Sequence, residues 1–482
     1  MSDIVLFQPK TGPLDKINTR LPLGLLYAAS FVHREGYKLK IIDQRLEGWK
    51  PVLEKELKGS PLFFGTTCMT GPQISFALEG AGIVREKTDI PVVFGGVHAT
   101  ILPEQTLENP LVDIAVRGEG EKTMLELARV LEKGKEVKGV KGLSYKKKGK
   151  VAHNPDRAFM KGGEILIPPY ELVDMKKYSS VSFRGEKSYS IMASRGCPFR
   201  CAFCYNLAYN RGVWRPFPLE KVMENVKMLV EDYGAKTLYF EDDNVCTRRE
   251  RFEELLKGIL AGHDIGLAFQ GIRVDVINRF TRETFRLMGK VSGLSLDMGI
   301  ESINQRVLAM VDKSVTLDAV KAVLRKLEDY EFTCKFNFIM GLPTETMEEV
   351  KRDVRFGLQL NRRHKNSYSL FNIYTPYPGT SLFDLAIREG FRPPRALEGW
   401  SSFSQMGWLR PENSWLTREE IDYLKGISFL FMFADPNIGI KVSGGLKRGL
   451  VNAYSPVARF RLQSDFYSLF LEKKVMEKLK GL

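Results

Sequence analysis

The sequence predicts an α/β protein: a doubly wound, Rossmann-like sheet first, a partial (β/α)6 TIM-like barrel second and a helical region last. Three observations carry this. Short apolar runs alternate with stretches of helical periodicity over the first 125 residues, the same alternation resumes near residue 186, and after about 390 the pattern turns helical and aromatic. A chain of 482 residues exceeds one ordinary core. The expected divisions are 1–150, a linker over 151–185, 186–390 and 391–482.

In the first part, "IVLFQ" (4–8), "LKIID" (39–43), "LFFGTT" (62–67), "VVFGG" (92–96) and "IAVRG" (114–118) read as buried strands. Segments such as "GLLYAASFVHREGY" supply the helices between them. The strands end in Gly, Thr or Asp, and ligands of such sheets bind outside the strand carboxyl ends. Residues 138–153 read as a hairpin around a solvated, Lys-rich turn. "HNPDRAF" and "IPPYELVDMKKY" read as a linker rich in Pro and polar residues.

From 186 onward, "SYSIMAS", "KTLYFEDDN", "GLAFQGIRVD", "GLSLDMGIES", "TCKFNFIMGLP" and "SYSLFNIYTPYPG" give about six βα units, each ending in a polar cluster. Active sites of barrels lie at that rim. The run "ISFLFMFA" (427–434) is short enough to be core or, failing that, an interfacial contact. The last stretch, "VARFRLQSDFYSLFLEKKVMEKLK", reads as a docking helix that closes the barrel, with a substrate-facing or membrane-surface helix as the lesser alternative.

Composition narrows the function. Hydrophobic residues at 44% and charged residues at 27% argue against disorder. The net charge of +14 fits an anionic substrate or an acidic protein partner. Without a helix-turn-helix, zinc-finger or RNP signature, nucleic acid is not expected. Three of the six cysteines are scattered, which suits a reducing cytosol rather than a disulfide scaffold. The opening "MSDIVLF" shows no signal peptide, and no apolar run nears the roughly 20 residues of a membrane span. A cytoplasmic location is therefore the expectation.

The other three cysteines, Cys197, Cys201 and Cys204, crowd into "SRGCPFRCAFCYN" (194–206). Structural zinc takes four ligands, usually as two separated pairs, and no second pair or nearby histidine exists here. A disulfide cannot use three thiols, and a CxxC redox pair leaves Cys197 unexplained. Thiolates in so close a run suit an iron–sulfur cluster. A four-iron cluster on three cysteines leaves one iron open to chelate a small molecule.

"CPFRCAFC" resembles the CxxxCxxC signature of radical S-adenosylmethionine (SAM) enzymes, and the other strand ends resemble the same family in order. The resemblance implies a [4Fe-4S] cluster on the three cysteines, with SAM chelated at the open iron and flanked by Phe203 and Tyr205. "YFEDDN" resembles the acidic second-strand motif, which implies Glu241, Asp242 or Asp243 near the SAM ammonium. Gln270 and Arg273 end the third strand as further SAM contacts. "GIES" resembles the fourth-strand motif (Glu301, Ser302). "FIMGLPTET" resembles the glycine motif that brings the Gly341 backbone to adenine, and "NIYTPYPGT" resembles the sixth strand, with Tyr374.

Upstream, no GxGxxG follows the first strand, which disfavours a dinucleotide. "LPLGLLYAA" (21–29), "FGGVHATILPE" (94–104) and "VDIAVRGEGE" (112–121) instead resemble the cobalamin-binding domain of the B12-dependent radical SAM class. With the barrel motifs, the resemblance spans about residues 1–390. It implies cobalamin contacts at Thr66, Thr67, Gly95, Gly96, His98, Ala99, Arg117, Gly118 and Glu119. Gly95 and Gly96 have no side chain to hold a flat ligand away. Glu121 is expected to cap the next helix. The cobalt-ligating DxHxxG motif is absent, so no protein imidazole is expected on cobalt. His98 is then a contact to the nucleotide tail or a structural residue.

The resemblance implies methyl transfer from methylcobalamin to an unactivated carbon, initiated by a 5′-deoxyadenosyl radical. The alternatives are an oxidative cyclase or rearrangement enzyme without net methyl transfer, and a cobalamin sensor with a degenerate barrel, against which the intact cysteine triplet speaks. A donor such as ferredoxin or flavodoxin is implied as electron source. Which residues are catalytic is not legible. The substrate is left open among a peptide or protein side chain, a lipid and a small metabolite. Tyr374, Tyr377, Trp400, Phe403 and Trp408 are candidate pocket residues, with core packing as the alternative.

Overall fold

The computed structural model describes residues 1–482 except 13–14, 16–18, 179, 182–185, 365, 404–413, 435–444 and 467–482. Trp408 and the end of the last basic stretch lie outside the described residues.

The first sheet is built from β1 (Ile4–Gln8), β2 (Leu39–Asp43), β3 (Phe64–Thr67), β4 (Val92–Gly95), β5 (Ile114–Val116), β6 (Leu143–Lys147) and β7 (Lys150–His153), in the order β2-β1-β3-β4-β5-β6-β7. The first five strands are parallel. β6 and β7 form the expected hairpin and add antiparallel to the edge. Strand β1 is buried along its whole length, as a parallel strand covered on both faces must be, and so reads as one apolar run. The strand order reverses between β1 and β3, which opens a crevice at the carboxyl ends.

The second sheet contains β8 (Ser180–Val181), β9 (Lys187–Ile191), β12 (Thr237–Phe240), β13 (Gly266–Arg273), β14 (Leu294–Glu301), β15 (Thr333–Met340) and β16 (Tyr368–Ile373). Two short strands, β10 (Ser194–Arg195) and β11 (Arg215–Pro216), pair apart from it beside the cysteine loop. The order is β16-β15-β14-β13-β12-β9-β8, parallel except for β8, and the edges do not meet. The barrel is therefore partial, as the six βα units imply. Along β15 the residues Cys334, Phe336, Phe338 and Met340 are buried while Lys335 and Asn337 face the opposite, polar side. On that side Lys335 Nζ donates to Asp297 Oδ2 at 2.6 Å.

The segment read as a linker is packed between the two sheets. Tyr178 donates to Asp43 Oδ2 and Tyr170 to Asn225 Oδ1, each at 3.0 Å, and both rings are buried. The tyrosine rings give this Pro-rich strap apolar area to bury, and its phenols satisfy polar groups on either side.

The C-terminal region has two destinations. Helix Arg418–Ala434 packs on β16: the Phe431 ring lies 4.4 Å from Phe371, and Ser428 donates to the Phe371 carbonyl at 2.9 Å. Ile427, Leu430, Phe431, Phe433 and Ala434 of "ISFLFMFA" are thus core, not an interfacial contact. The short helical turn Leu397–Ser402 instead reaches back to the first domain and packs on helix Gln73–Lys87. Trp400 Nε1 donates to Gln105 Oε1 at 2.5 Å, and Gln105 Nε2 donates to the Pro394 carbonyl at 3.0 Å. Trp400 and Phe403, expected as pocket residues, pack against each other with ring centres 4.7 Å apart and are both 2% exposed. They are core because their apolar area seals the seam between first domain and C-terminal region. Trp400→Ala should cost about 3–5 kcal/mol, as large-to-small changes at buried aromatics do. The check is a lowered midpoint of chemical unfolding, with protease cleavage appearing first within 391–403.

Candidate active site at the interface of the two sheets

The cysteine loop hangs from buried carboxylates at the end of β12. Asp242 is fully buried and accepts from Ala193 N at 3.1 Å and Ser194 Oγ at 2.5 Å. Asp243 Oδ2 accepts from Gly196 N at 2.9 Å. Gly196 has φ +79°, and a Cβ there would meet the Val213 carbonyl at 2.1 Å, so only glycine fits. These contacts turn the chain from β10 into Cys197, Cys201 and Cys204. All three thiols are half-buried and free of disulfides. Burial pushes all three up, Cys204 to about 12.

Among the described residues no three His, Cys, Asp or Glu are spaced to hold a single metal ion. A four-iron cluster differs, because each of its cysteines binds its own iron. Three free thiols around one loop, two of them influencing the third electrostatically, fit that donor set.

The loop is clamped to the first domain. Arg195 Nη1 donates to Glu119 Oε1 at 3.0 Å and Nη2 to Glu121 Oε1 at 2.6 Å. Arg215 Nη1 donates to the same Glu119 oxygen at 2.6 Å. Glu119 and Glu121 are buried, and the Arg195 guanidinium lies 4.8 Å over the Tyr27 ring. Tyr209 adds a hydrogen bond to the Gly118 carbonyl at 3.2 Å.

Between the sheets lies a cavity of about 230 Å³. The first domain lines it with Gly24, Ala28, Gly120 and its two clamp carboxylates. The barrel side contributes Met192, Arg195, Tyr205, Tyr209, Glu241 and Asp243. Glu241 also accepts from Arg20 Nη1 at 3.1 Å and Ser190 Oγ at 2.6 Å, and Arg20 lies 3.9 Å over the Tyr239 ring.

The rim of the first sheet also faces this seam. Cys68 N donates to the Gly95 carbonyl at 2.9 Å, and Gly118 N donates to Thr100 Oγ1 at 3.0 Å. These bonds gather the ends of β3, β4 and β5. Thr67, Gly95, Gly96, Arg117 and Gly118 are half-buried there. A Cβ on Gly118 would meet nothing within 4 Å and one on Gly95 nothing closer than 3.7 Å, so the rim is open at these two positions, whereas one on Gly96 (φ +90°) would meet Thr67 Oγ1 at 2.6 Å, so that glycine serves the packing of the rim itself.

Several expected contacts stand elsewhere. Asp242 holds backbone and does not line the cavity. Glu119, expected at cobalamin, and Glu121, expected to cap its helix, both give their carboxylates to the arginine clamp. Arg117 pairs with Asp156 at 3.1 Å. Thr66 donates to the Phe7 carbonyl at 3.1 Å inside the sheet, and Ala99 is fully buried. His98 is fully buried too; Nδ1 meets Thr70 Oγ1 at 2.9 Å, the ring sits 5.8 Å from Trp400, and burial pushes its pKa down to about 4. That is its structural reading. Ser302 is buried under the turn at Asn304, whose N–H donates to it at 3.0 Å. Gly341 has φ +73°, and the Leu424 side chain lies 2.6 Å from where a Cβ would be, so helix packing requires glycine there. Tyr374 is 3% exposed and packs near Trp415. Arg273 is tied to Cys201. Glu301 pairs with buried Lys313. Phe203, Gln270 and Tyr377 are half-buried.

Sequence reasoning missed Arg195, Arg215, Gly196, Lys313 and Arg20. The signal was present only for Gly196 and Arg195, in "SRGC" itself.

Residues 191–357 match the radical SAM superfamily and residues 19–128 the B12 binding domain. An uncharacterized methyltransferase of Pyrococcus horikoshii is 32% identical over 92% of this chain and 94% of its own length. The anaerobic magnesium-protoporphyrin IX monomethyl ester cyclase of Rubrivivax gelatinosus is 28% identical over 75% of this chain and 65% of its own length. The fold is shared with the cobalamin-dependent SAM radical enzyme OxsB, solved with aqua-cobalamin and SAM bound (TM-score 0.74, 17% identity, 99% of this chain and 75% of that one). It is also shared with the radical SAM methyltransferase TsrM of Kitasatospora setae (TM-score 0.67, 20% identity, 82% and 76%). The chain belongs to the B12-binding radical SAM family.

Arg195→Ala leaves buried Glu121 without its cation and Glu119 with Arg215 alone, and should cost about 3–5 kcal/mol. Arg195→Lys should recover little, since one ammonium cannot serve both carboxylates in a fork; equilibrium unfolding of the three proteins checks both. Asp242 gives a pH signature. Burial raises its folded pKa from 3.8 to about 7, against hydrogen bonds from Ser194 and Ala193. Between those values the folded state keeps a proton that the unfolded chain releases, so this group's contribution falls as pH rises from about 4 to 7 and is level above. Asp242→Asn should therefore flatten the wild-type decline in unfolding free energy over that window.

Proposed function

We propose that the chain is a B12-dependent radical SAM methyltransferase that methylates an unactivated carbon. One observation carries the reading: the cavity between the sheets is bordered on one side by Arg195 and Tyr205, which flank the cysteines in their loop, with Glu241 and Asp243, and on the other by the first domain that matches the B12 binding domain. The 32% identical relative named as a methyltransferase supports the transfer itself. When bound, a [4Fe-4S] cluster, SAM and cobalamin supply a 5′-deoxyadenosyl radical and a methyl group for a carbon centre.

The chain's own residues position and enclose. Cys197, Cys201 and Cys204 are assigned to the cluster. Asp243, Glu241 and Tyr205 border the cavity and are assigned to the cationic end of SAM; Asp243 accepts from the neutral donors Gly196 N and Asn210 Nδ2 and so keeps its attraction for a cation, while Glu241 already shares Arg20. Thr67, Gly95 and Gly118 are assigned to cobalamin, as backbone and a hydroxyl on an open rim. The Arg195 clamp fixes the distance between the two sets, and the aromatic seam at Trp400 keeps water from entering behind them. No protein imidazole is assigned to cobalt, since His98 is enclosed in the core. A one-electron donor of the ferredoxin or flavodoxin class is assigned as partner.

A second reading keeps the cofactors without net methyl transfer, favoured by the 28% identity to the cyclase. Anaerobic reconstitution with iron, sulfide and cobalamin, followed by mass spectrometry of candidate substrates, separates the two. A gain of one methylene supports methylation, and oxygen gain or hydrogen loss overturns it. Cys201→Ala should abolish 5′-deoxyadenosine formation while cobalamin stays bound; equal loss of cobalamin would contradict the division of labour between the sheets.

A further inference from the structure

We propose that Arg273 tunes the redox potential of the cysteine loop, by donating a charged hydrogen bond to Cys201 and so favouring the reduced state of a cluster held there. The inference rests on the cluster assignment above and deepens it.

Arg273 reaches the loop because β13 is broken just before its end. The register slips between Phe269 and Ile272, and Gly271 in the slip has φ +70°. A Cβ there would meet the Asp243 carbonyl at 2.4 Å, so glycine lets the strand press against the acidic turn. The last residue, Arg273, is thereby aimed at the cysteines.

All three nitrogens of its guanidinium are engaged. Nη1 donates to Cys201 Sγ at 2.7 Å, Nε to Asp275 Oδ1 at 2.9 Å and Nη2 to the Lys313 carbonyl, while the plane lies 3.8 Å from the Phe199 ring. The side chain is 6% exposed. A group this constrained is held in one place, with Cys201 among its three partners. The nearby cation, Lys313, is held by Glu301 and the Gly299 carbonyl. Arg273 is the cation that touches the sulfur.

The physical consequence follows from charge. Reduction by one electron, taken from an external one-electron donor, adds one negative charge to a cluster and breaks no bond. Hydrogen bonds to the sulfurs set such potentials. A donor that carries a permanent charge strengthens the bond, and burial keeps water from screening it. Arg273 therefore stabilises the reduced state over the oxidised one. Asp275, on the far side of the guanidinium, opposes this in part.

The test uses the full chain, reconstituted anaerobically with iron and sulfide and without SAM, titrated with dithionite and read by electron paramagnetic resonance. Arg273→Gln should lower the midpoint so that the reduced-to-oxidised ratio at a fixed potential falls about tenfold, equivalent to 59 mV for one electron. Asp275→Asn should move it the other way, with iron and sulfide content matching wild type. Two loaded variants that titrate with wild type overturn the proposal. If Arg273→Gln takes up no cluster, Asp275→Asn decides alone, and an unchanged or lowered midpoint overturns it. A wild-type chain that loads no iron and sulfide overturns the cluster assignment and this inference with it; a loaded wild type with unshifted variants overturns only the tuning.

Discussion

The arrangement depends on one buried cluster of charge. Arg195 stands two residues before the first cysteine, and it is held by two carboxylates of the other sheet, with Arg215 sharing one of them. Two arginines and two glutamates balance, so this cluster carries no net charge into the low dielectric. Such a cluster is poor evidence for stability, because desolvation offsets most of the attraction. Its value is positional. Ionic partners that must meet in a fork tolerate little displacement, and an apolar contact of equal area would tolerate more.

Around that clamp, the strand ends of both sheets point into the same space. Parallel sheets place loops and ligands at their carboxyl edges, and here two such edges face one another. The acidic turn after β12 shows how one short sequence serves several tasks. Glu241 meets the first domain through Arg20, Asp242 holds the chain entering the loop, and Asp243 holds the loop itself while bordering the cavity. Three adjacent acids do this because successive residues leaving a strand point in different directions.

Much of this was legible in the sequence. The strand runs of the first part fall within one residue or two of β1 to β5, since fully buried strands must be apolar throughout. The cysteine loop, too, was readable, because the bond-forming capacity of three close thiols is a local property. The partners of long charged side chains were not. Nothing in "RGEGE" distinguishes a glutamate that caps its own helix from one that crosses to an arginine some 75 residues further on. "GLP" likewise names a glycine without saying whether a ligand or Leu424 fills the space beside it, and a tryptophan near residue 400 reads alike whether it lines a pocket or seals a seam.

The sequence by itself determined the strand runs of the two sheets and the loop of thiols, because hydrophobic period and ligand spacing are written over a few neighbouring residues. Tertiary structure alone decided which acids clamp, which hold the loop and which face the cavity. It also decided that Arg273 meets a sulfur and that the C-terminal region returns to the first domain. Those outcomes depend on which surfaces come within a hydrogen bond's length of each other, and chain order does not encode that distance.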